Sequence, residues 1–180
     1  MKRKFYLIFT LLIIGLACKK NKDDIQYHGT ASATFNGKAW QSGKVRCVIS
    51  TQCYKGKLSI HFHVYNSQGF LRESLGIANI PVAKATYTLN PADLANSRNC
   101  NRSDATASYH TLQDHGDVLL DSYDALPSAD NYLAIEEYNE RTKKLSGRFS
   151  VIFKIHRRQD PNSPDTIKVT NGRFDTKILE

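Results

Sequence analysis

The sequence predicts an all-β protein: an antiparallel β-sandwich or partly closed barrel of about ten short strands, with only minor helix. Apolar and polar residues alternate over short stretches that recur about every 8 to 15 residues, and no stretch keeps a helical period. Turn-forming residues separate these stretches, and the dipeptide Asn-Gly occurs at 36–37 and again at 171–172.

The individual strands follow from the alternation and from the turns. The first Asn-Gly predicts a two-residue hairpin turn, and the second predicts either a tight turn or a bulge. The clearest alternation lies in 58–65 and in 145–156, where every second residue is apolar. The residues predicted to face the core there are Leu58, Ile60, Phe62, Val64, Phe149, Val151, Phe153 and Ile155.

The N-terminal segment is predicted to be an export leader, because a basic start precedes about a dozen apolar residues. That run is too short to span a bilayer core of about 30 Å. The residues Gly15-Leu16-Ala17-Cys18 resemble a bacterial lipobox, with Gly15 at the position usually held by leucine. We therefore expect a lipoprotein signal peptide at 1–17, lipidated Cys18 and a tether at 18–28, and a single β domain at 29–180. An ordinary secretory leader is the alternative.

The polar residues after Cys18 carry a second resemblance. Lys22, Asp23 and Asp24 are similar to the export signal that places lipoproteins of Bacteroidota on the outer face of the outer membrane. The resemblance implies a surface-exposed, membrane-anchored protein. The three residues stand a few positions later than in the usual arrangement, so a periplasm-facing location is the alternative.

Charge argues against nucleic acid as a partner. The formal net charge is +8, and it falls to +5 when the three cations of the leader are removed. No run of Lys or Arg is interleaved with aromatic residues, so the excess of basic residues indicates a solvated surface.

The cysteines predict one disulfide. With Cys18 assigned to lipid, Cys47, Cys53 and Cys100 remain in an oxidising compartment. On one strand Cys47 and Cys53 would lie about 20 Å apart, whereas a bridge needs Cα atoms within about 7 Å. Cys100 should therefore pair with one of them. We favour Cys53–Cys100, because Cys47 lies inside an alternating strand and is expected to be a buried free thiol.

Three short motifs resemble those of a family of Bacteroidota lipoproteins that contain a domain of unknown function. They are Asn36-Gly37-Lys38-Ala39-Trp40, Ser146-Gly147-Arg148-Phe149 and Val169-Thr170-Asn171-Gly172-Arg173-Phe174. The family's middle Gly-x-Tyr element is represented here by Lys84-Ala85-Thr86-Tyr87, without the glycine. The resemblance implies the lipid anchor and the all-β fold, and it transfers no catalytic or binding residue.

The candidate site is the polar face of the strand at 58–65. His61 and His63 would lie about 6.5 to 7 Å apart on one face, a spacing that metal sites on sheets use. A third ligand would have to come from His110, His115, Cys47 or an acidic residue, and a solvated face is the favoured interpretation. The sequence contains no nucleophile elbow, phosphate loop or dinucleotide fingerprint. No catalytic residue and no cofactor are therefore predicted.

These observations favour a non-enzymatic binding or accessory module of the cell envelope, with a glycan or an envelope protein as its partner. The predicted ligand face comprises His61, His63 and Tyr65. The alternative is an envelope hydrolase or metal-dependent enzyme with a dispersed site near His61 and His63.

Lipidation gives the first testable prediction. Replacing Cys18 with alanine should abolish the incorporation of labelled palmitate, because the variant lacks the thiol that the lipobox presents for acylation. Metabolic labelling of the wild type, the Cys18→Ala variant and a Cys47→Ala control measures this directly. Label that still enters Cys18→Ala would show that the assignment is wrong.

Overall fold

A computed structural model describes residues 26–51, 55–92 and 104–179. These residues form twelve strands and no helix, which confirms the all-β fold class. The strands are β1 (Gly29–Phe35), β2 (Lys38–Ser42), β3 (Lys44–Ile49), β4 (Leu58–Tyr65), β5 (Leu71–Ile80), β6 (Thr86–Thr88), β7 (Asn90–Pro91), β8 (Thr106–Leu112), β9 (Leu119–Ala125), β10 (Tyr132–Asn139), β11 (Lys144–Arg157) and β12 (Thr166–Leu179).

All of these strands belong to one sheet, and β12 is paired on both of its edges. The order is β2-β1-β12-β3-β4-β5-β8-β9-β11-β10-β6, with β7 beside β8 and an additional pairing of β12 with β11. The short β12–β3 and β7–β8 pairings are parallel, and the long ladders are antiparallel. The arrangement is consistent with both a sandwich and a partly closed barrel.

The first Asn-Gly forms the predicted hairpin turn. Phe35 pairs with Lys38 across it, and Asn36 and Gly37 have φ values of 46° and 81°. Two consecutive left-handed residues are typical of the type I′ turn, which Asn-Gly adopts at low cost. The Asn36 side chain also accepts a hydrogen bond of 2.7 Å from the Lys168 backbone N–H, so the hairpin is fixed to β12.

The second Asn-Gly forms a bulge, one of the two predicted alternatives. β12 continues through it, Asn171 has a φ of 55°, and the register with β11 shifts at this point. An extra residue in one strand changes the phase of the alternation. As a result Gly172 and Phe174 are buried on the same side as Val169.

The predicted core is largely confirmed. Six of the eight residues expected to face inward are fully buried, whereas Val64 and Ile155 are partly buried and pack against the same core. Both of the latter lie close to a strand end, where fewer neighbours cover them. Cys47 is buried and free, as expected, and its burial raises the pKa of the thiol to about 12.

Two glycines make room for two phenylalanine rings where β11 and β12 pair. Gly147 lies opposite Phe174 in the register, and Phe149 lies opposite Gly172. A Cβ on Gly147 would lie 2.9 Å from Phe174 Cε1, and one on Gly172 would lie 2.7 Å from Phe149 Cδ2. Each ring therefore covers the glycine of the facing strand. Phe62 of β4 stacks on Phe149 with ring centroids 5.0 Å apart and extends this packing into the core.

We predict that Gly147→Ala and Gly172→Ala each lower the free energy of unfolding by about 1 to 3 kcal/mol, the usual cost of overpacking. The added methyl group would meet a backbone carbonyl oxygen as well as a ring, so it cannot be accommodated by a side-chain rotation alone. Urea-induced unfolding measures the effect.

The matched control is Gly43→Ala, because a Cβ at Gly43 has no atom within 4 Å and its φ is not left-handed. Alanine there should leave stability unchanged or raise it by less than about 1 kcal/mol. Equal losses in all three variants would contradict the role assigned to Gly147 and Gly172.

Candidate functional site

The predicted ligand face is formed by alternate residues of β4. Leu58, Ile60 and Phe62 are buried, so the intervening side chains point to the outer face of the sheet. The ring centroids of His61 and His63 are 6.0 Å apart, and those of His63 and Tyr65 are 6.2 Å apart. The structure thus places the three predicted residues in a continuous half-buried row.

Tyr27, which the sequence assigned to the tether, joins this row. The adjacent His28 backbone N–H donates a hydrogen bond of 2.8 Å to the Val45 carbonyl, which holds the segment against β3. The Tyr27 hydroxyl lies 2.5 Å from the Tyr65 hydroxyl and 3.3 Å from His63 Nδ1. Tyr27 therefore connects the two predicted residues through hydrogen bonds.

Two cations of β3 border the same row. Lys44 is the register partner of His63, and Arg46 is the register partner of His61. The Lys44 ammonium lies 4.4 Å from the ring centroid of Tyr65 and 5.4 Å from that of Tyr27. A cation over two tyrosine faces is favourable because the ring quadrupole attracts positive charge. We call Tyr27, Lys44, His61, His63 and Tyr65 the tyrosine–histidine cluster.

Small residues lie beside the two imidazoles. His61 pairs with Gly76 and His63 with Ser74 on β5, and Gly76 in turn pairs with Ser108 on β8. A Cβ on Gly76 would lie 3.5 Å from His61 Nδ1, an ordinary van der Waals contact, so the His61 ring lies directly beside this position. The cluster is consequently bordered by cations on one side and by small residues on the other.

Burial shifts the pKa values of His61, His63 and Tyr65 in the direction that favours their uncharged forms. Burial and then the nearby Arg46 lower the pKa of His61. Burial, followed by His61 and Arg46, lowers the pKa of His63 to about 4. Burial and then the hydrogen bond to Tyr27 raise the pKa of Tyr65. At neutral pH the cluster therefore offers uncharged groups that can donate and accept hydrogen bonds, and its positive charge comes from Lys44.

The sequence-derived candidates for a third metal ligand do not complete a site with the histidine pair. Cys47 faces the core, and His115 packs against Phe70 in a turn. His110 lies on β8, which is separated from the strand of His63 by β5. Burial lowers the pKa of His110, and the nearby Asp124 opposes that effect. Within residues 26–51, 55–92 and 104–179, no group of three His, Cys, Asp or Glu residues is arranged to hold a metal ion.

Two carboxylates packed into the fold stabilise other parts of it. Glu73 Oε2 accepts hydrogen bonds from Trp40 Nε1 at 2.7 Å and from the Tyr109 hydroxyl at 2.9 Å. Asp121 is fully buried and accepts from the Ser163 hydroxyl at 2.6 Å and from the Gln159 backbone N–H at 2.8 Å. Burial would raise the pKa of Asp121, but its hydrogen bonds outweigh that effect and lower it. Both carboxylates anchor structure rather than orient an imidazole of the cluster.

The remaining predicted site residues, Cys18, Cys53 and Cys100, lie outside the described ranges. The Cys53–Cys100 bridge therefore stays a prediction.

Comparisons of the chain with protein-family models, with curated proteins and with solved structures found no match. The part of the chain that the structure describes contains no helix with the length and hydropathy needed to cross a membrane.

The depressed pKa of His63 predicts an acid-dependent loss of stability. Burial, His61 and Arg46 lower the pKa of His63 from the 6.5 of an unperturbed histidine to about 4 in the folded protein. Between these values the unfolded chain binds more protons than the folded chain, so the free energy of unfolding falls as the pH falls. His63→Gln should remove part of this pH dependence.

Histidine-selective NMR titration and urea unfolding between about pH 4 and 7 measure both consequences. An imidazole of His63 that titrates near 6.5 in the folded protein would contradict the burial and charge environment described above.

Proposed function

We propose that this protein is an outer-membrane-anchored lipoprotein whose β domain is a non-enzymatic binding module of the cell envelope, with an acidic glycan as its ligand. The observation that carries the binding role is the tyrosine–histidine cluster, a hydrogen-bonded row of uncharged rings with a cation above it. The anchor at Cys18 and the location, surface-exposed or otherwise periplasm-facing, rest on the leader, on the lipobox and on the resemblance to Bacteroidota lipoproteins.

The chemistry of the cluster fits a sugar. Tyrosine rings offer flat apolar faces to the C–H groups of a pyranose, and their hydroxyls exchange hydrogen bonds with its hydroxyl groups. A neutral imidazole has one donor and one acceptor nitrogen, so His61 and His63 add the same adaptable capacity. All of these groups are half-buried, which means that they are held in place but remain accessible to a ligand.

The bordering cations favour an acidic sugar over a neutral one. Within the described ranges, none of the ion pairs includes Lys44 or Arg46, although both side chains are exposed. A carboxylate or sulfate on the ligand would therefore meet two cations without displacing a protein carboxylate.

The glycan is favoured over an envelope protein because the cluster is polar. The centre of a protein interface is usually depleted of charged residues, whereas the Lys44 ammonium lies over both tyrosine rings of the cluster. The large apolar side chains that are exposed on the described part of the chain are Ile49, Phe70 and Val118, and none of them belongs to the cluster.

The enzymatic alternative has less support. A catalytic histidine works best with a pKa near the working pH and is usually oriented by a carboxylate. Burial lowers the pKa of His63 to about 4, and the imidazole forms a hydrogen bond with a tyrosine hydroxyl. A histidine–carboxylate contact that joins His156 Nδ1 to Asp124 Oδ2 at 3.4 Å involves no residue of the cluster.

Glycan arrays and calorimetry provide the test. We expect binding of uronate-containing or sulfated oligosaccharides, with Tyr65→Ala and Lys44→Gln each weakening the affinity on the order of tenfold, or about 1.4 kcal/mol. Tyr65→Phe should lose less than Tyr65→Ala, because it keeps the ring and removes only the hydroxyl.

Lys168→Gln on β12 is the control for a change of one positive charge, and it should bind normally. Binding of neutral and acidic glycans with equal affinity would contradict the role of Lys44. Hydrolysis of the glycan, or stoichiometric zinc that is lost on mutating His61, would favour the enzymatic alternative.

A further inference from the structure

A second surface feature lies at the turn between β10 and β11. A cleft of about 610 Å³ is lined there by Arg141, Lys143, Lys144 and Lys177, together with Gln26 and His28. Thr142, Ile178 and Leu179 complete the lining, and no carboxylate from the described residues belongs to it. We call this feature the basic cleft. Arg141, Lys144 and Lys177 give this lining a positive charge that attracts anions.

Two of these cations face each other directly across strands. Lys144 of β11 and Lys177 of β12 are register partners, and both side chains are exposed. Like charges at directly opposite positions destabilise a sheet. The neighbouring like-charge pair, Arg148 and Arg173, differs because Arg148 Nε bonds Glu136 Oε1 at 2.5 Å. Neither Lys144 nor Lys177 belongs to an ion pair within the described ranges.

The backbone of the turn is also unusual. Lys143 has a φ of 58°, a left-handed conformation that glycine or asparagine adopts at lower cost. Its carbonyl accepts a hydrogen bond of 2.9 Å from the Ile178 backbone N–H, which fixes the turn to the end of β12. A charged residue of the lining thus has a strained backbone conformation, which is more frequent at functional sites.

The cleft lies where the domain joins its tether. Gln26 and His28 line it, and only eight peptide links separate Gln26 from Cys18. A chain of that length reaches at most about 28 Å. Lys19, Lys20 and Lys22 lie in the same short segment of sequence, and after Asp23 and Asp24 are subtracted the segment adds a net charge of +1 near Cys18.

We propose that the basic cleft docks the domain onto an anionic membrane surface by binding the phosphate groups of lipid headgroups. Two observations favour lipid phosphate as the ligand: the lining of the cleft is positively charged, and the tether from Cys18 is short. The inference rests on the proposed function in one respect: it assumes that the lipid anchor at Cys18 holds the domain near the membrane. Tyr27 stands between Gln26 and His28, so docking would also hold the tyrosine–histidine cluster close to the membrane surface.

The test uses the mature chain from residue 18 with Cys18→Ser, so that no acyl chain contributes to binding. Co-sedimentation with phosphatidylcholine vesicles, with and without phosphatidylglycerol, should show binding that requires the anionic lipid and weakens as salt is added. Lys144→Gln combined with Lys177→Gln should weaken that binding on the order of 25-fold, since each cation near such a surface contributes roughly fivefold.

The control carries Lys154→Gln and Lys168→Gln, which remove the same charge from exposed positions towards the opposite ends of β11 and β12. It should bind nearly as the wild type does. Equal losses in the two double variants, or no binding to anionic vesicles, would overturn the proposal. Full competition by inorganic phosphate, at concentrations too low to screen charge, would show a small-anion site instead.

Urea unfolding distinguishes a double variant that has lost its fold from one that has lost only membrane binding. Neutralising Lys144 and Lys177 removes a repulsion, so urea unfolding of that double variant should give a stability equal to or above that of the wild type. Because the assay contains neither lipidated protein nor glycan, its failure would leave the anchor and the glycan site to be judged by their own tests.

Discussion

The reciprocal packing of Gly147 under Phe174 and of Gly172 under Phe149 is the contact on which the rest of the sheet depends. Each ring occupies space that any side chain on the facing strand would fill. The β11–β12 register is therefore fixed, because a slip of one residue would place each ring against a side chain and turn it to the other face. β12 also pairs with β1 and β3, so this register determines the position of both of those strands.

The same packing orients the candidate site on the opposite face. Phe62 stacks on Phe149, so this face of β4 points into the core. Because side chains alternate along the strand, His61 and His63 lie on the outer face. The β3–β4 register then brings Lys44 beside His63. Burial near this cation-bordered sheet keeps both imidazoles neutral, so the binding chemistry of the outer face is a consequence of how the core is packed.

Local features of the sequence were sufficient to predict part of this structure. Asn36-Gly37 encodes its hairpin within the turn itself, and strict alternation in β4 was enough to locate His61, His63 and Tyr65 on one face. The two Gly-x-Phe segments were visible, but their mutual packing depends on a register between distant strands. Tyr27 could not be found, because its neighbours are those of a tether and its position depends on the backbone bond from His28 to Val45. Lys44 could have been found by assuming a hairpin register between β3 and β4.

The most direct test of the account follows the imidazole of His63 by NMR while an acidic oligosaccharide is added. An anionic group held beside Lys44 would stabilise the imidazolium, so the pKa of His63 should rise from about 4 as the ligand binds. By linkage, binding should then take up protons and become tighter as the pH falls through that range. If the oligosaccharide binds while the pKa and the chemical shifts of His63 stay unchanged, the ligand lies elsewhere and the tyrosine–histidine cluster is not its site.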